Sequence, residues 1–293
     1  MLQEYLLSFK NQFSFINLFD YLTFRVSIST LTALCISFIV GPKIIKILKT
    51  KNIGEEIRED GPPGHLSKKG TPTMGGVIIL ISVLIPTILF SKTDTVMIQI
   101  IIFSTIWMGL IGFIDDYYKT IKRYKNGIIA RYKFFGQIIL GIIISYWITN
   151  SSNYDNISTI TTVPFLKNVE FDLGYLYPLF VIVVITATSN AVNLTDGLDG
   201  LAAGLLSICF TVFIAVAYIS GRTDFSTYLN IMYIPNIGEL SVFSGAMAGA
   251  CIGFLWFNAS PAEVFMGDTG SLSTGAALGT LAILLKKELL LFI

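Results

Sequence analysis

The sequence predicts an all-α, polytopic integral membrane helical bundle, on three observations. Of 293 residues, 53% are hydrophobic and only 13% charged, with a mean hydropathy of +0.71. Soluble chains carry about 25% charged residues, so too little charge remains to cover a soluble globule. Apolar runs of about the 20 residues needed to cross a bilayer recur along the chain. Lysine and arginine gather in two segments, as they do at one face of a membrane protein. A net charge of +1 gives no sign of nucleic-acid binding. Cys35, Cys209 and Cys251 all lie in apolar runs, without disulfide or metal spacing.

Taken in order, residues 1–24 mix Gln3, Glu4, Lys10, Asn11, Gln12 and Asp20 with aromatics. That reads as an N-terminal interfacial segment and not a cleavable signal peptide. The rest, 25–293, reads as one membrane-embedded domain. Its eight candidate spans are about 25–47, 74–91, 96–114, 133–149, 174–190, 200–219, 241–257 and 271–291. Pro86 predicts a kink in the second, and Lys286 with Lys287 interrupts the last. No internal repeat supports an inverted-repeat transporter.

Seven of the twenty basic residues lie in 41–73 and six in 115–133. The positive-inside rule makes both loops cytoplasmic and puts the N-terminus outside. Lys286 and Lys287 then fall on the wrong side. Alternation of the spans also brings 190–199 and 258–271 to the cytoplasmic face. Four polar islands therefore share one surface, which predicts an interfacial catalytic or binding site more than a channel.

The first island is Asp60 to Gly76. Thr71 is placed to cap a helix opened by Pro72, and Lys68 with Lys69 beside it suits an anion. His65, the only histidine, reads as a solvated loop residue. The second island closes an apolar run with Asp115 and Asp116, followed by Lys119. Lys119 can pair one acid at helical spacing. Adjacent helical side chains diverge by about 100°, so the two acids are expected to have different jobs, one toward a metal and the other as a base or orienting lysine. The basic stretch that follows, through Arg131 and Lys133, suits an anionic headgroup or polyphosphate. In the third island Asn190, Asn193 and Asp196 share one helical face, with Gly197, Asp199 and Gly200 behind them. The fourth holds Asn258, Glu263, Phe265, Gly267, Asp268 and Ser271, with no local cation to neutralise its acids. Oxygen ligands without cysteine or a histidine pair suit a hard cation such as Mg2+, bound together with substrate phosphates. The class implied is phosphoryl or phosphosugar transfer at the membrane.

Four ordered motifs carry a resemblance from about residue 20 to the chain end. They are Gly70-Thr-Pro-Thr-Met-Gly-Gly76, Asp115-Asp116-Tyr-Tyr-Lys119, Asn190 through Gly200, and Phe265-Met-Gly-Asp-Thr-Gly-Ser271. Together they resemble the phospho-N-acetylmuramoyl-pentapeptide-transferase family of bacterial peptidoglycan synthesis. The wider superfamily of polyprenyl-phosphate sugar-1-phosphate transferases shares the acid motifs. The resemblance implies a multi-pass enzyme of the bacterial cytoplasmic membrane, facing the cytoplasm and requiring Mg2+. It would move phospho-MurNAc-pentapeptide from UDP-MurNAc-pentapeptide to undecaprenyl phosphate, giving lipid I and UMP.

Carried over by position, Asp268 matches the metal-binding acid, with Asp116 expected as its companion ligand. Asp115 and Asp116 match paired acids, one of them proposed to deprotonate the lipid phosphate. Asp196 matches an active-site acid near the diphosphate. Lys68, Asp199, Asn258 and Phe265 match nucleotide-pocket positions, with Phe265 placed to stack on uracil. Asn190, Lys119, Lys133 and Ser271 match other cleft residues, and Thr73, Asn193 and Gly267 join them as substrate-binding positions. The family has ten spans and a His-rich cytoplasmic loop, so an end at Ile293 in an apolar run reads as C-terminal truncation. A homodimer is compatible with this reading. The alternatives are a sister N-acetylglucosamine-1-phosphate transferase, a truncated fragment that only binds substrate, and a transporter.

Overall fold

A backbone crossing lipid must satisfy its N–H and C=O groups internally, so each apolar run becomes a helix. The computed structural model describes residues 14–50, 70–120, 122, 127–163, 166 and 169–292. Their helices are α1 (Leu22–Thr50), α2 (Gly76–Phe90), α3 (Val96–Thr120), α4 (Ala130–Thr149), α5 (Tyr177–Thr195), α6 (Leu201–Ser220), the short α7 (Thr223–Leu229), α8 (Leu240–Asn258) and α9 (Gly267–Leu284). A small antiparallel hairpin, β1 (Ile160–Thr162) with β2 (Glu170–Asp172), lies between α4 and α5. It pairs Ile160 with Asp172 and Thr162 with Glu170. Six helices are long and apolar enough to cross a membrane, and the protein is an all-α, multi-pass membrane protein.

The arrangement has two centres. α8 packs against α1, α2 and α6, while α9 packs against α2, α3 and α5. Every residue of α9 from Asp268 to Leu284 is buried. Its neighbours are protein and not lipid, so it is built from Gly, Ser, Thr and Ala instead of large aliphatics. Small residues let backbones approach closely. A Cβ on Gly76 would overlap the backbone of Gly270, and one on Gly112 the backbone of Asp268. The hydroxyls of α9 mostly bond within the helix, as Ser273 Oγ does to Thr269 O at 2.7 Å, while Thr280 reaches Ser104 of α3 at 2.7 Å. The free thiols Cys35, Cys209 and Cys251 lie on different helices.

Successive helices run up and down, so their ends gather at two faces. At one face the C-terminal ends of α3 and α5 meet the N-terminal ends of α4 and α9. At the far face Arg25 of α1 forms a bidentate pair with Glu239, at 2.6 and 2.7 Å. Arg25 also donates to Phe90 O at 3.1 Å, and Lys92 N donates to Glu239 at 3.1 Å. The start of α1 and the α2–α3 and α6–α8 connections are thereby tied by one buried ion pair. Lys286 and Lys287 find their explanation at this same face. Lys286 Nζ donates to Ser158 O at 2.6 Å and to Tyr177 Oη at 2.9 Å, and lies over the rings of Tyr154 and Tyr177. Lys287 Nζ donates to Thr162 Oγ1 at 2.9 Å, and Thr161 donates to Glu288 at 2.6 Å. These lysines clamp the β-hairpin onto the end of α9 and do not mark a basic loop. On the same hairpin, hydrogen bonds from Thr159 Oγ1 and Gly174 N hold the Asp172 carboxyl below the ordinary carboxylate range.

Three sequence expectations are corrected. The last helix begins at Gly267 and ends at Leu284, not at 291, followed by a 3-10 turn over Glu288–Phe292. The third helix runs on to Thr120, so Asp115 and Asp116 sit inside it. Thr71 caps nothing: α2 starts at Gly76, because Pro72 O and the Gly75 and Gly76 amides bond instead to Phe265 and Met266.

Glu239→Ala strands Arg25 in the protein interior and is expected to cost about 3–5 kcal/mol. The double variant Arg25→Met/Glu239→Leu should recover most of that, as measured by denaturant unfolding in detergent.

Candidate active site

The four polar islands supply the residues of this site, and the helix ends set their geometry. Asp115 and Asp116, one turn before the end of α3, are buried, and Asp268 in the first turn of α9 nearly so. Each offers a carboxylate oxygen within 4.8 Å of the others. Unit charges about 5 Å apart repel by roughly 3 kcal/mol at an effective dielectric of 20, so the cluster needs cations. Lys119 Nζ lies 2.7 Å from Asp115 and 3.3 Å from Asp268. Lys133, from the first turn of α4, lies 2.8 Å from Asp115 and pairs closely with Asp268. Both lysines bridge an acid of α3 and the acid of α9. The acid of the fourth island is thus neutralised by lysines of the second.

The two adjacent acids diverge as their helical spacing requires. Asp115 takes the lysines on one oxygen, while its other accepts Ile128 N at 2.6 Å. Gly127 makes that approach possible with φ +56, and a Cβ there would press on Asp115 and Lys119. Asp116 points the other way, to the N-terminus of α9. It accepts Asp268 N at 3.0 Å, Thr269 N at 2.9 Å and Thr269 Oγ1 at 2.6 Å. It therefore caps a neighbouring helix, where free N–H groups and the dipole favour a carboxylate. Gly267, at φ +72, admits this contact, since a Cβ there would strike Asp116 and Thr73. Asn193 completes the cluster from α5, donating to Asp268 Oδ1 at 3.0 Å and to Ser271 Oγ at 2.8 Å.

The structure therefore joins Asp115, Asp116, Lys119, Lys133, Asn193, Asp268 and Ser271, with Thr73 and Gly267 packed beside them. Asp196 caps the end of α5, one turn beyond Asn193. Asn190 meets Gln137 at 3.4 Å. Asn258 is buried and spends its amide on the protein: Gly200 N donates to Oδ1 at 3.1 Å, and Nδ2 donates to Val264 O at 2.9 Å. It holds together the turn before α6, which contains Asp199, and the loop that carries Phe265. Phe265 is half-buried, and its backbone is bonded to Pro72 and Gly75 at 2.8 Å. Lys68, Lys69 and His65 lie outside the described residues.

Sequence reasoning missed three members. Thr269 was in plain view inside the Asp268 motif. Gln137 was the one amide in an apolar helix, and Ile128 acts through its backbone, which leaves no signal.

The acids are buried, whereas the side chains of Lys119 and Lys133 are 38% and 20% exposed. The site therefore opens through its lysines, and an anion entering it meets ammonium groups first. All-oxygen acids beside them fit a hard divalent cation that shares its ligands with phosphates.

Thr269→Val removes one of three hydrogen bonds on buried Asp116. It is expected to cost about 1–3 kcal/mol of stability by denaturant unfolding.

This geometry can be set beside known proteins. The family model described as Glycosyl transferase family 4 matches residues 98–286. Phospho-N-acetylmuramoyl-pentapeptide-transferase signature 1 matches residues 68–80. A phospho-N-acetylmuramoyl-pentapeptide-transferase of Thermodesulfovibrio yellowstonii is 47% identical over 291 residues, covering 99% of this chain and 80% of that protein. Proteins of the same description from Chlorobium phaeobacteroides and Desulforapulum autotrophicum are 48% identical over 273 residues and 46% over 293. They cover 93% and 100% of this chain, and 74% and 81% of their own lengths. The convergent acids and lysines all fall within the matched span, and the signature covers the Thr73 loop packed against them. The chain therefore belongs to the phospho-N-acetylmuramoyl-pentapeptide-transferase family.

Proposed function

We propose that this protein transfers phospho-N-acetylmuramoyl-pentapeptide from UDP-MurNAc-pentapeptide to undecaprenyl phosphate, yielding lipid I and UMP. The observation that carries the reading is the lysine-bridged acid cluster at the helix ends, in a chain of this family. In the reaction an oxygen of the lipid phosphate attacks the sugar-linked phosphorus. A new P–O bond forms from the lipid phosphate to that phosphorus, its bond to the bridging oxygen of the donor diphosphate breaks, and UMP leaves with the bridging oxygen and the electron pair.

Lys119 and Lys133 are the groups that first meet the diphosphate and lipid phosphate. Asp115 is the better candidate for taking a proton from the lipid phosphate. Its lysine partners are side chains that can turn to phosphate, whereas Asp116 is held by two backbone amides that cannot. Asp116 instead fixes the first turn of α9, and with it Asp268. Mg2+, when bound, neutralises charge building on the diphosphate. Asp268 is the ligand we assign to it, because its partners are likewise mobile ammonium and amide groups, with Asp116 backing it. Asp196, Asp199, Phe265 and Lys68 are assigned to the donor nucleotide and diphosphate, with Phe265 stacking on uracil, and Asn190, Asn258 and Ser271 to shaping that cleft. The distribution of basic residues between the loops supports a site on the cytoplasmic side of the inner membrane. A sister transferase is disfavoured by the pentapeptide-transferase signature and the relatives. Spans without a file of mid-helix acids disfavour a transporter.

UMP release from UDP-MurNAc-pentapeptide should require both undecaprenyl phosphate and Mg2+ and stop on chelation. Asp268→Asn is expected to lower turnover by roughly a thousandfold or more while the helical circular dichroism is retained. Full activity in that variant removes the metal assignment. Excess UDP-GlcNAc should leave the rate unchanged, and competition by it would favour the sister enzyme.

A further inference from the structure

The basic stretch after α3 is only partly used by the site. Lys119 and Lys133 turn inward to the acids, but Lys122 and Arg131 do not. Both are exposed, and neither forms a salt bridge with a described residue. Each instead lies over an aromatic ring, Lys122 over Tyr118 and Arg131 over Tyr132, both at 5.9 Å from the centroid. Between those rings is a depression of about 390 Å³, lined by Tyr118, Gly127, Ile128, Ile129 and Tyr132. Ile129 and Tyr132 are 51% and 61% exposed.

An apolar floor with two cations at its rim, unpaired with any acid among the described residues, calls for an anionic amphiphile. The place is the basic end of two spanning helices, at the level of lipid headgroups, where tyrosine is at home. We propose that this depression is a binding site for an anionic phospholipid. The headgroup phosphate is held by Lys122 and Arg131, and the glycerol and first acyl carbons lie on Ile129 between the two tyrosines. One wall of the depression is Ile128, whose N–H holds Asp115. A lipid seated there steadies the peptide that orients the acid, so bilayer composition reaches the site through a single loop.

The direct test is lipid retention, which does not depend on the transferase reading. The purified protein is equilibrated with phosphatidylglycerol or phosphatidylcholine, and bound lipid is counted by native mass spectrometry. Phosphatidylglycerol should be retained in preference. Lys122→Gln/Arg131→Gln should lower its apparent affinity by roughly tenfold or more, while Lys122→Arg/Arg131→Lys should keep it. Equal retention of the two lipids, unchanged retention in the glutamine variant, or displacement of the lipid by inorganic phosphate would overturn the site. A second arm rests on the proposed reaction. UMP release in phosphatidylglycerol vesicles should exceed that in phosphatidylcholine vesicles severalfold, and the glutamine variant should lose the excess but keep the phosphatidylcholine rate. Preferential retention without that excess overturns the link to Asp115 alone, and absence of turnover in every vesicle bears on the transferase reading alone.

Discussion

Three carboxylates from two helices share one small, largely buried volume, and their repulsion would drive those helix ends apart without countercharge. Lys119 and Lys133 supply it by bridging Asp115 of α3 to Asp268 of α9. Asp116 removes itself from the repulsion in another way, by capping α9. The first turn of α9 is thereby held from both sides, through the Asp268 side chain and through its backbone amide. Much of the rest follows from keeping that turn in place. α9 is buried along its length, Gly76 and Gly112 let α2 and α3 close on its first turn, and the far-face lysines clamp its other end.

Charge balance also explains why the site suits anions. Two ammonium groups already satisfied by carboxylates are restrained but still partly exposed. A phosphate that approaches them competes with carboxylates and does not have to order free lysines. The acids released in that exchange are then available to a divalent cation or a proton. One set of side chains can thus stabilise the folded protein in one state and handle a polyphosphate in another.

Much of this was legible in the sequence. Each of the eight apolar runs falls on a helix among the described residues, six of them long and apolar enough to cross a membrane, because a backbone in lipid must be continuous helix. The divergent directions of Asp115 and Asp116 followed from helical geometry alone. The i,i+4 pairing of Asp115 with Lys119 was equally local. Less legible were helices whose neighbours are protein. α9 has the composition of a tightly packed core segment, so its hydropathy is a weak guide to its ends. The lysines after it were read as a breach of the positive-inside rule because their partners, Ser158, Thr162 and Tyr177, are more than a hundred residues away.

The sequence by itself determined the all-α, multi-pass architecture and the chemical types in the site, since each rests on local composition or helical period. It also carried the motifs by which the family is identified. Only the tertiary structure decided which lysine meets which acid, that Asp116 serves the end of another helix, and that Asn258 holds two loops together. Those pairings join residues up to about 150 positions apart, and the closing of such distances is set by how helices pack, which no local pattern encodes.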